Sequence, residues 1–351
     1  MRSTKLRPSR EATPGAAGRQ FLLAACLAIA LAAAGCGAKA GETHLLNVSF
    51  DATRELYSEF NNAFAENWRQ KTGDTISVRQ SHGGSAKQAR SVIEGLRGEV
   101  LSLALPYDID MVARRANLLP AAWRGKLPAN SCPYTSTIVF LVRPGNPKRI
   151  HDWADLVRPD VQVITANPKT SGGARWAHLA AWGHALKTAK GDHAQATRFM
   201  RALYANVPTL ESGARAAMTT FAQRGVGDVL LAWENEAMRA VKEASGPKLE
   251  LVAPSVSIKA EPPIALVERN AARGGVLEIA NAYLQFHYTA QAQELFARHY
   301  FRPSSPEVLA KHPNSFAKIE LLTVEELCGD WQRAHDEHFR DGAIFDQSFP
   351  R

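Results

Sequence analysis

The chain has 351 residues, 45% hydrophobic and 22% charged, and its 42 Lys and Arg against 34 Asp and Glu give a formal charge of +8. That length exceeds one ordinary domain and can bury a sizeable core, so two lobes are expected. The first 36 residues carry five of the basic residues and one acidic residue, which leaves the remainder at only +4. That charge is spread out, with no Lys/Arg-rich block and no basic stripe interleaved with aromatics, so nucleic-acid binding has no support.

The chain opens with Arg2, Lys5, Arg7, Arg10 and Arg19 ahead of the apolar run FLLAACLAIALAAA, Phe21 to Ala34. A basic lead, a short apolar run and small residues after it describe a secretion signal. The run is shorter than the roughly 20 residues of a membrane-spanning helix. Two processing sites are open: after Ala40 in AKA, or before Cys36 in AAGC, which would leave a lipid-anchored cysteine. Either delivers a soluble mature chain across a bacterial inner membrane to the periplasm. Of the four cysteines, Cys26 and Cys36 fall with the signal. Cys132 and Cys328 could pair in an oxidising compartment, but two independent half-buried thiols are the favoured reading.

Beyond the signal, short β-type runs alternate with helical patterns, as in an α/β protein with largely parallel sheets. The predicted strands are His44 to Phe50, Thr75 to Gln80, Val100 to Leu105, Ser136 to Val142, Val161 to Thr165, Val229 to Trp233, Leu249 to Ala253 and Ile264 to Val267. In the first predicted helix Leu56, Phe60, Phe64 and Trp68 recur every four residues and share one face. Asp51 stands ahead of it as an N-cap candidate. After Val267 the pattern predicts helices alone, through GVLEIANAYLQFHY, QAQELFARHY and the stretch Thr323 to Phe339. No fixed-period repeat and no low-complexity linker separates the lobes, so strands crossing between them are expected.

Three stretches share one grammar: GGSAK (Gly83 to Lys87), TSGGAR (Thr170 to Arg175) and SGAR (Ser212 to Arg215). Each lies between a predicted strand and a predicted helix. The first N–H groups of a helix lack partners and carry partial positive charge, glycine lets a ligand approach the backbone, and serine adds a hydroxyl donor. Trp233, at the carboxyl end of VLLAW, could add an indole N–H that donates and never accepts. Any one cluster reads as a plain helix cap; three together, with Asp51 heading a fourth helix, point to convergence on one anion.

Rival chemistries find less. HGGS resembles an esterase oxyanion-hole stretch, yet the chain has no G-x-S-x-G elbow. KTG (Lys71 to Gly73) and the S-x-x-K of Ser245 to Lys248 come in the wrong order for a penicillin-recognising enzyme, and Pro247 spoils the second. The HDEH of His335 to His338 is the nearest approach to a metal cluster and reads as a solvated helix face; His178 and His184 read as packing beside Ala181 and Trp182.

KTGDTISVRQS (Lys71 to Ser81) and NPKTSGGAR (Asn167 to Arg175) resemble the two signatures of the periplasmic sulfate-binding proteins that feed ATP-driven importers. SFDATREL, SHGGSAKQA, PYTSTIVFLVR, GNPKRIHDW, GVGDVLLAWENEA and the closing FDQ extend the resemblance from about residue 44 to the carboxyl end. It implies a two-lobed type II periplasmic-binding-protein fold, each lobe a mixed, mostly parallel sheet flanked by helices, with lobe 1 over 44–136 and 250–351 and lobe 2 over 137–249. It further implies a monomeric receptor, not an enzyme, that closes over one dehydrated sulfate and presents it to an inner-membrane permease complex. No cofactor and no metal are implied. Carried over residue by residue, the ligand contacts fall on Asp51, Ser85, Ser171, Gly172, Gly173, Ala214 and Trp233. SHGGS, SGGAR and WENE, in place of the SHAGS, SGNAR and Phe-Glu-Ser of thiosulfate-preferring relatives, favour sulfate over thiosulfate, molybdate or phosphate. Cys132, Cys328 and Pro106 depart from the family's pattern and put local packing in question.

Sulfate offers only acceptors, so its pocket needs donors alone, whereas phosphate retains a proton and requires an acceptor. Asp51 is therefore expected to act through its backbone N–H with its carboxylate turned away. Lys87, Arg175 and Arg215 are expected to pair with acids or water outside the ligand shell.

Overall fold

The computed structural model describes residues 43–243 and 248–349. The secretion signal with both processing sites, and Ser245 to Pro247 of the S-x-x-K stretch, lie outside the described residues.

The chain begins with strand β1 (Thr43–Phe50), followed by a 3-10 turn, Asp51–Thr53, and helix α1 (Arg54–Thr72). The four-residue spacing is borne out: Leu56, Phe60, Phe64 and Trp68, joined by Tyr57, form the buried face of α1. Gly73 stops the helix at φ 82° and bonds back to Arg69 O, a left-handed cap that glycine adopts without strain. KTG is thus a helix terminus. Strand β2 (Ile76–Gly83), helix α2 (Ser85–Ile93), strand β3 (Val100–Ser102) and helix α3 (Pro106–Ala116) follow. Pro106 occupies the first position of α3, where its missing N–H has no partner to lose, so it opens a helix without disturbing a strand.

The second half-sheet is built from β4 (Ile138–Val142), β5 (Val163–Ala166), helices α4 (Gly172–Thr188) and α5 (His193–Ala205), β6 (Leu210–Glu211), helix α6 (Ala214–Met218), β7 (Val229–Trp233), helix α7 (Glu234–Glu243) and β8 (Glu250–Val252). The returning chain adds β9 (Val256–Ile258), β10 (Ile264–Leu266), helices α8 (Leu277–Phe286) and α9 (Ala290–Arg298), β11 (Glu320–Leu322), and helices α10 (Val324–Cys328), α11 (Trp331–Ala334) and α12 (Ile344–Ser348).

Two main sheets result, ordered β10-β3-β1-β2 and β6-β5-β7-β4-β8, beside two two-stranded pairs, β9 with β11 and Tyr134–Thr135 with Arg302–Pro303. The pairs β1/β3, β5/β6 and β5/β7 are parallel, while β10/β3, β4/β7 and β4/β8 are antiparallel. The antiparallel members are the strands by which the chain enters one sheet from the other. Where it crosses, Ser136 and Ala260 exchange two backbone hydrogen bonds of 2.9 Å. Beside them Thr137 Oγ1 donates to Ile258 O at 2.8 Å and Ser257 Oγ to Ile138 O at 2.7 Å. All three hydroxyl-bearing residues are fully buried, so the two crossing segments are held together as one paired ribbon.

The first sheet is covered by α1, α8 and α9, whose rings Phe60, Phe64, Tyr283 and Phe286 meet edge to face at 5.0–5.3 Å for Phe64–Tyr283, Phe60–Phe286 and Phe60–Tyr283. Burying each such side chain contributes about 1.5–3 kcal/mol. The second sheet carries α4 and α5, and the closing helices pack there too: Trp331 meets Trp176 at 4.7 Å and Phe345 meets Tyr204 at 5.3 Å.

Several expectations change. Asp51 does not cap α1; Phe50 and Thr53 occupy the cap positions and neither makes a side-chain cap bond. The reading of helices alone after Val267 fails, because β9 pairs in parallel with β11; three-residue strands give no periodicity to detect. Cys132 and Cys328 are both free and buried. Among the described residues no helix is long and apolar enough to cross a membrane.

Candidate anion-binding site

Four helix or turn beginnings face one enclosed cleft. It is lined by Phe50, Asp51, Ala52, Gly83, Gly84, Ser85, Ala104, Ser171, Gly172, Gly173, Ala214 and Trp233, and leaves ≈ 10 Å³ for the centre of a water-sized sphere. All seven positions taken from the sequence, Asp51, Ser85, Ser171, Gly172, Gly173, Ala214 and Trp233, are brought together there. They come from both sheets: Asp51 and Ser85 follow β1 and β2, while Ser171 to Gly173, Ala214 and Trp233 follow β5, β6 and β7. Carboxyl ends of strands in open α/β sheets are the usual place for a ligand.

Ser171 caps α4, accepting from Ala174 N at 3.4 Å, and keeps its own proton to donate. Gly172 and Gly173 begin α4 and Ala214 begins α6, so their amides have no partner within the helix. Trp233 ends β7 almost fully buried, with its ring 5.4 Å from Phe50.

The glycines are dictated by close approach. A Cβ on Gly173 would sit 2.2 Å from Trp233 Nε1, so the indole N–H lies directly over that backbone. A Cβ on Gly172 would stand 2.7 Å from Ala104 Cβ, and one on Gly84 would stand 2.6 Å from Thr170 O. The last two contacts join chain following the first sheet to chain following the second, so the two rims of the cleft are in contact.

Ser85 differs from the expectation of a free hydroxyl. Its Oγ donates to Asp108 Oδ2 at 2.5 Å and accepts from Ala104 N at 3.0 Å, so only its backbone N–H remains for a ligand. Asp108 is itself buried, and that burial raises its pKa against the lowering effect of Arg175. The Asp51 carboxylate lies against Gly213, where a Cβ would stand 2.8 Å from Oδ2. Burial raises its pKa, opposed by Arg54, Arg215 and Lys87.

No Lys or Arg lines the cleft. Arg215 pairs with Glu55 on α1, which also binds Arg239 at 2.7 Å. Arg175 is buried, donates through Nε to Pro168 O at 2.9 Å and lies over Phe339 and Tyr107. Lys169, the lysine of NPKTSGGAR, points away and clamps the closing segment, meeting Phe339 O at 2.9 Å, Arg340 O at 3.1 Å and Asp346 Oδ2 at 3.0 Å.

The WENE stretch divides its labour in the same way. Glu234 is held by Nε and Nη2 of Arg302, each at 2.7 Å, and Asn235 Nδ2 donates to Ala52 O at 3.0 Å, fixing the turn that carries Asp51. Glu236 lines a second small cavity behind Ser171, Gly173 and Trp233. Burial raises its pKa to about 7, with Arg215 opposing and Asp51 and Glu55 adding to the rise. Ala104, Asp108 and Asn235 were not among the sequence candidates. An alanine in an extended run carries no signal, and Asp108 becomes legible only once Ser85 is beside it.

Residues 52–302 match the family model described as "Bacterial extracellular solute-binding protein". The chain is 53% identical over 330 residues to the "Sulfate-binding protein" of Escherichia coli (strain K12), covering 94% of this chain and 97% of that one. It is 44% identical over 328 residues to the "Thiosulfate-binding protein" of Pseudomonas aeruginosa, covering 93% and 97%. Among solved structures, the sulfate-binding protein SubI from Mycobacterium tuberculosis H37Rv superposes with a TM-score of 0.77 at 31% identity, covering 85% of this chain and 100% of that one. By sequence and by fold together, the chain belongs to the bacterial extracellular solute-binding proteins, which bind their cargo and are not enzymes.

Proposed function

We propose that this chain is the periplasmic receptor that binds one sulfate and delivers it to an ATP-driven importer of the inner membrane. The observation that carries the reading is the small cleft lined by donor-bearing positions with no Lys or Arg head group among them. A centre volume of ≈ 10 Å³ corresponds to a sphere of about 2.7 Å radius once the water radius is added back, the compass of one tetrahedral oxyanion.

In this reading the backbone N–H groups of Asp51, Ser85, Gly172, Gly173 and Ala214, the Ser171 hydroxyl and the Trp233 indole N–H replace the ion's water. Each charge-assisted hydrogen bond contributes roughly 1.5–3 kcal/mol. Their sum must exceed dehydration of a dianion by only about 8 kcal/mol for micromolar binding. Dipoles are sufficient, and they leave the ion releasable. Donors alone suit sulfate; phosphate's remaining proton would need an acceptor. Sulfate held by both rims favours the closed state, the form a membrane partner can recognise. The chain acts as a monomer, hinged at the paired segments near Ser136 and Ala260. The first lobe is 44–136 with 250–351, and the second is 137–249, against which β8 and the closing helices of the returning chain pack. The segment ahead of residue 43 directs export, ending after Ala40 or in a lipid-anchored Cys36, alternatives that the mass of the mature chain separates.

Thiosulfate is the second reading, supported by the 44% identity to a protein of that name. Calorimetric titration of the mature chain with sulfate, thiosulfate, molybdate and phosphate at neutral pH tests both. Sulfate should give the tightest complex. Heat with phosphate and none with sulfate would overturn the proposal, and tighter thiosulfate binding would replace it with the second reading. Trp233→Phe should weaken the sulfate complex markedly, because an aromatic ring still packs against Phe50 while the indole N–H is lost.

A further inference from the structure

We propose that Cys328, Glu337 and His338 form a binding site for one borderline divalent cation of the zinc class, outside the anion cleft. Each offers one ligand atom, and these atoms lie within 4.8 Å of one another. The HDEH stretch reads from sequence as a solvated helix face. Instead the chain makes a π turn over His335–Phe339, and His338 turns fully inward at 0% exposure. Single π turns recur at functional sites.

The state of the His338 ring points to a ligand. Its Nδ1 lies 3.1 Å from His178 Nε2, and His178 Nδ1 lies 2.9 Å from the Tyr204 hydroxyl, all buried. His338 Nε2 is buried with no hydrogen-bond partner. With each Nδ1–H donated along this chain toward Tyr204, the Nε2 lone pair is left bare, which suits a Lewis acid. A hydrogen bond on the far ring nitrogen is the usual device that orients a metal-binding imidazole.

Thiolate, imidazole and carboxylate form a zinc-type donor set, whereas calcium and magnesium require oxygen ligands. Cys328 is buried and unpaired to another cysteine. Glu337 is exposed and lines a surface cleft with His193, Asp336 and Arg340, which supplies an entry path. Bonds of about 2.0–2.3 Å bring tetrahedral ligands within roughly 3.5 Å of each other, so the cluster must contract by about 1 Å. Glu337 can supply that movement, since it is exposed and its ion pair with Arg333 is a long 3.6 Å. As the sulfur–metal bond forms, the Cys328 thiol proton passes to solvent, and water completes the fourth position. The ion would tie the end of α10 to the π turn and fix the closing segment over α4.

The test uses the untagged mature chain after chelator treatment. Zinc is titrated against a chromophoric competitor, and cobalt(II) is followed by absorbance. One metal per chain is expected, with a thiolate-to-cobalt charge-transfer band in the near ultraviolet. Cys328→Ser should abolish that band; Glu337→Gln and His178→Gln should weaken zinc binding about 10- to 100-fold; Cys132→Ser should change neither. Sulfate titrations should be the same in every variant, since none of these residues lines the cleft. A cobalt complex without the thiolate band, or zinc affinity unchanged in Glu337→Gln, would overturn the site. The Glu337 variant decides the matter even if Cys328→Ser does not fold, because its side chain is exposed.

Discussion

Ser85 and Ser171 each begin a helix at the cleft, yet their hydroxyls do different things. That of Ser171 accepts from Ala174 N and keeps a proton free to donate, while that of Ser85 is committed to Asp108 and Ala104. Ser171→Ala should therefore weaken sulfate binding roughly 10- to 150-fold, the worth of one charge-assisted bond, at a stability cost of about 1 kcal/mol for the lost cap. Ser85→Ala should do the reverse: leaving buried Asp108 without its donor should cost about 1–3 kcal/mol of stability, seen as a lower urea midpoint, with a smaller loss of affinity. Glu236 supplies a pH dependence. Its carboxyl is pushed up to about 7 by burial, so raising the pH through that value places a negative charge near the dianion. Sulfate affinity should fall several-fold between pH 6 and pH 8, of the order of 1 kcal/mol, and Glu236→Gln should flatten the profile. A slope that survives in that variant would assign the effect elsewhere. At this scale Ser171, Gly172 and Gly173 were legible because Ser-Gly runs between a strand and a helix expose backbone donors. The commitment of the Ser85 hydroxyl was not, since Asp108 lies 23 positions away.

Helix α1 reaches across to α6 and α7 through Glu55, which meets Arg215 and Arg239. These groups are partly exposed, Glu55 at 36% and Arg215 at 50%, and such pairs are worth about 0–1 kcal/mol. Glu55→Gln should accordingly reduce sulfate affinity only a few-fold, by loosening the closed state, and added sodium chloride should shrink the difference further. A loss of a hundredfold in calorimetry would instead mean that Glu55 is needed to hold the cleft shut, and a gain would mean that Arg215 turns to the anion once freed. The start of α4 shows why signatures resist simple reading. NPKTSGGAR supplies three cleft residues, but its lysine clamps the closing segment and its arginine stacks on Phe339. The elements themselves were largely legible: α1 by its four-residue period and β7 by its apolar run. The strands β9 and β11 escaped because three residues define no period, and the position of α10 to α12 on the second sheet depends on aromatic contacts with α4 and α5 that no local pattern announces.

Across the whole molecule the cleft is shut by backbone meeting backbone. Gly84 stands so near Thr170 that a methyl would lie 2.6 Å from a carbonyl oxygen, which cannot be relieved by a rotamer change. Gly84→Ala should oppose closure by about 1–3 kcal/mol, or roughly 5- to 150-fold in sulfate affinity. X-ray scattering with saturating sulfate should then give a larger radius of gyration for the variant than for the parent chain. An equal radius and equal affinity would show that the rims need not touch. Because sulfate binds only the folded, closed form in this reading, a concentration of 100 times Kd should stabilise the parent by about 2.7 kcal/mol.

By itself the sequence determined the alternating α/β order, the buried face of α1 and the helix beginnings able to receive an anion, because each follows from residues a few positions apart. Only the tertiary structure decided which serine hydroxyl is free, where Lys169, Arg175 and Arg215 send their charges, and that His338 lies buried beside His178. Those outcomes depend on partners dozens to more than a hundred positions away, and burial, which sets the cost of an unpaired polar group, is a property of the packed chain alone.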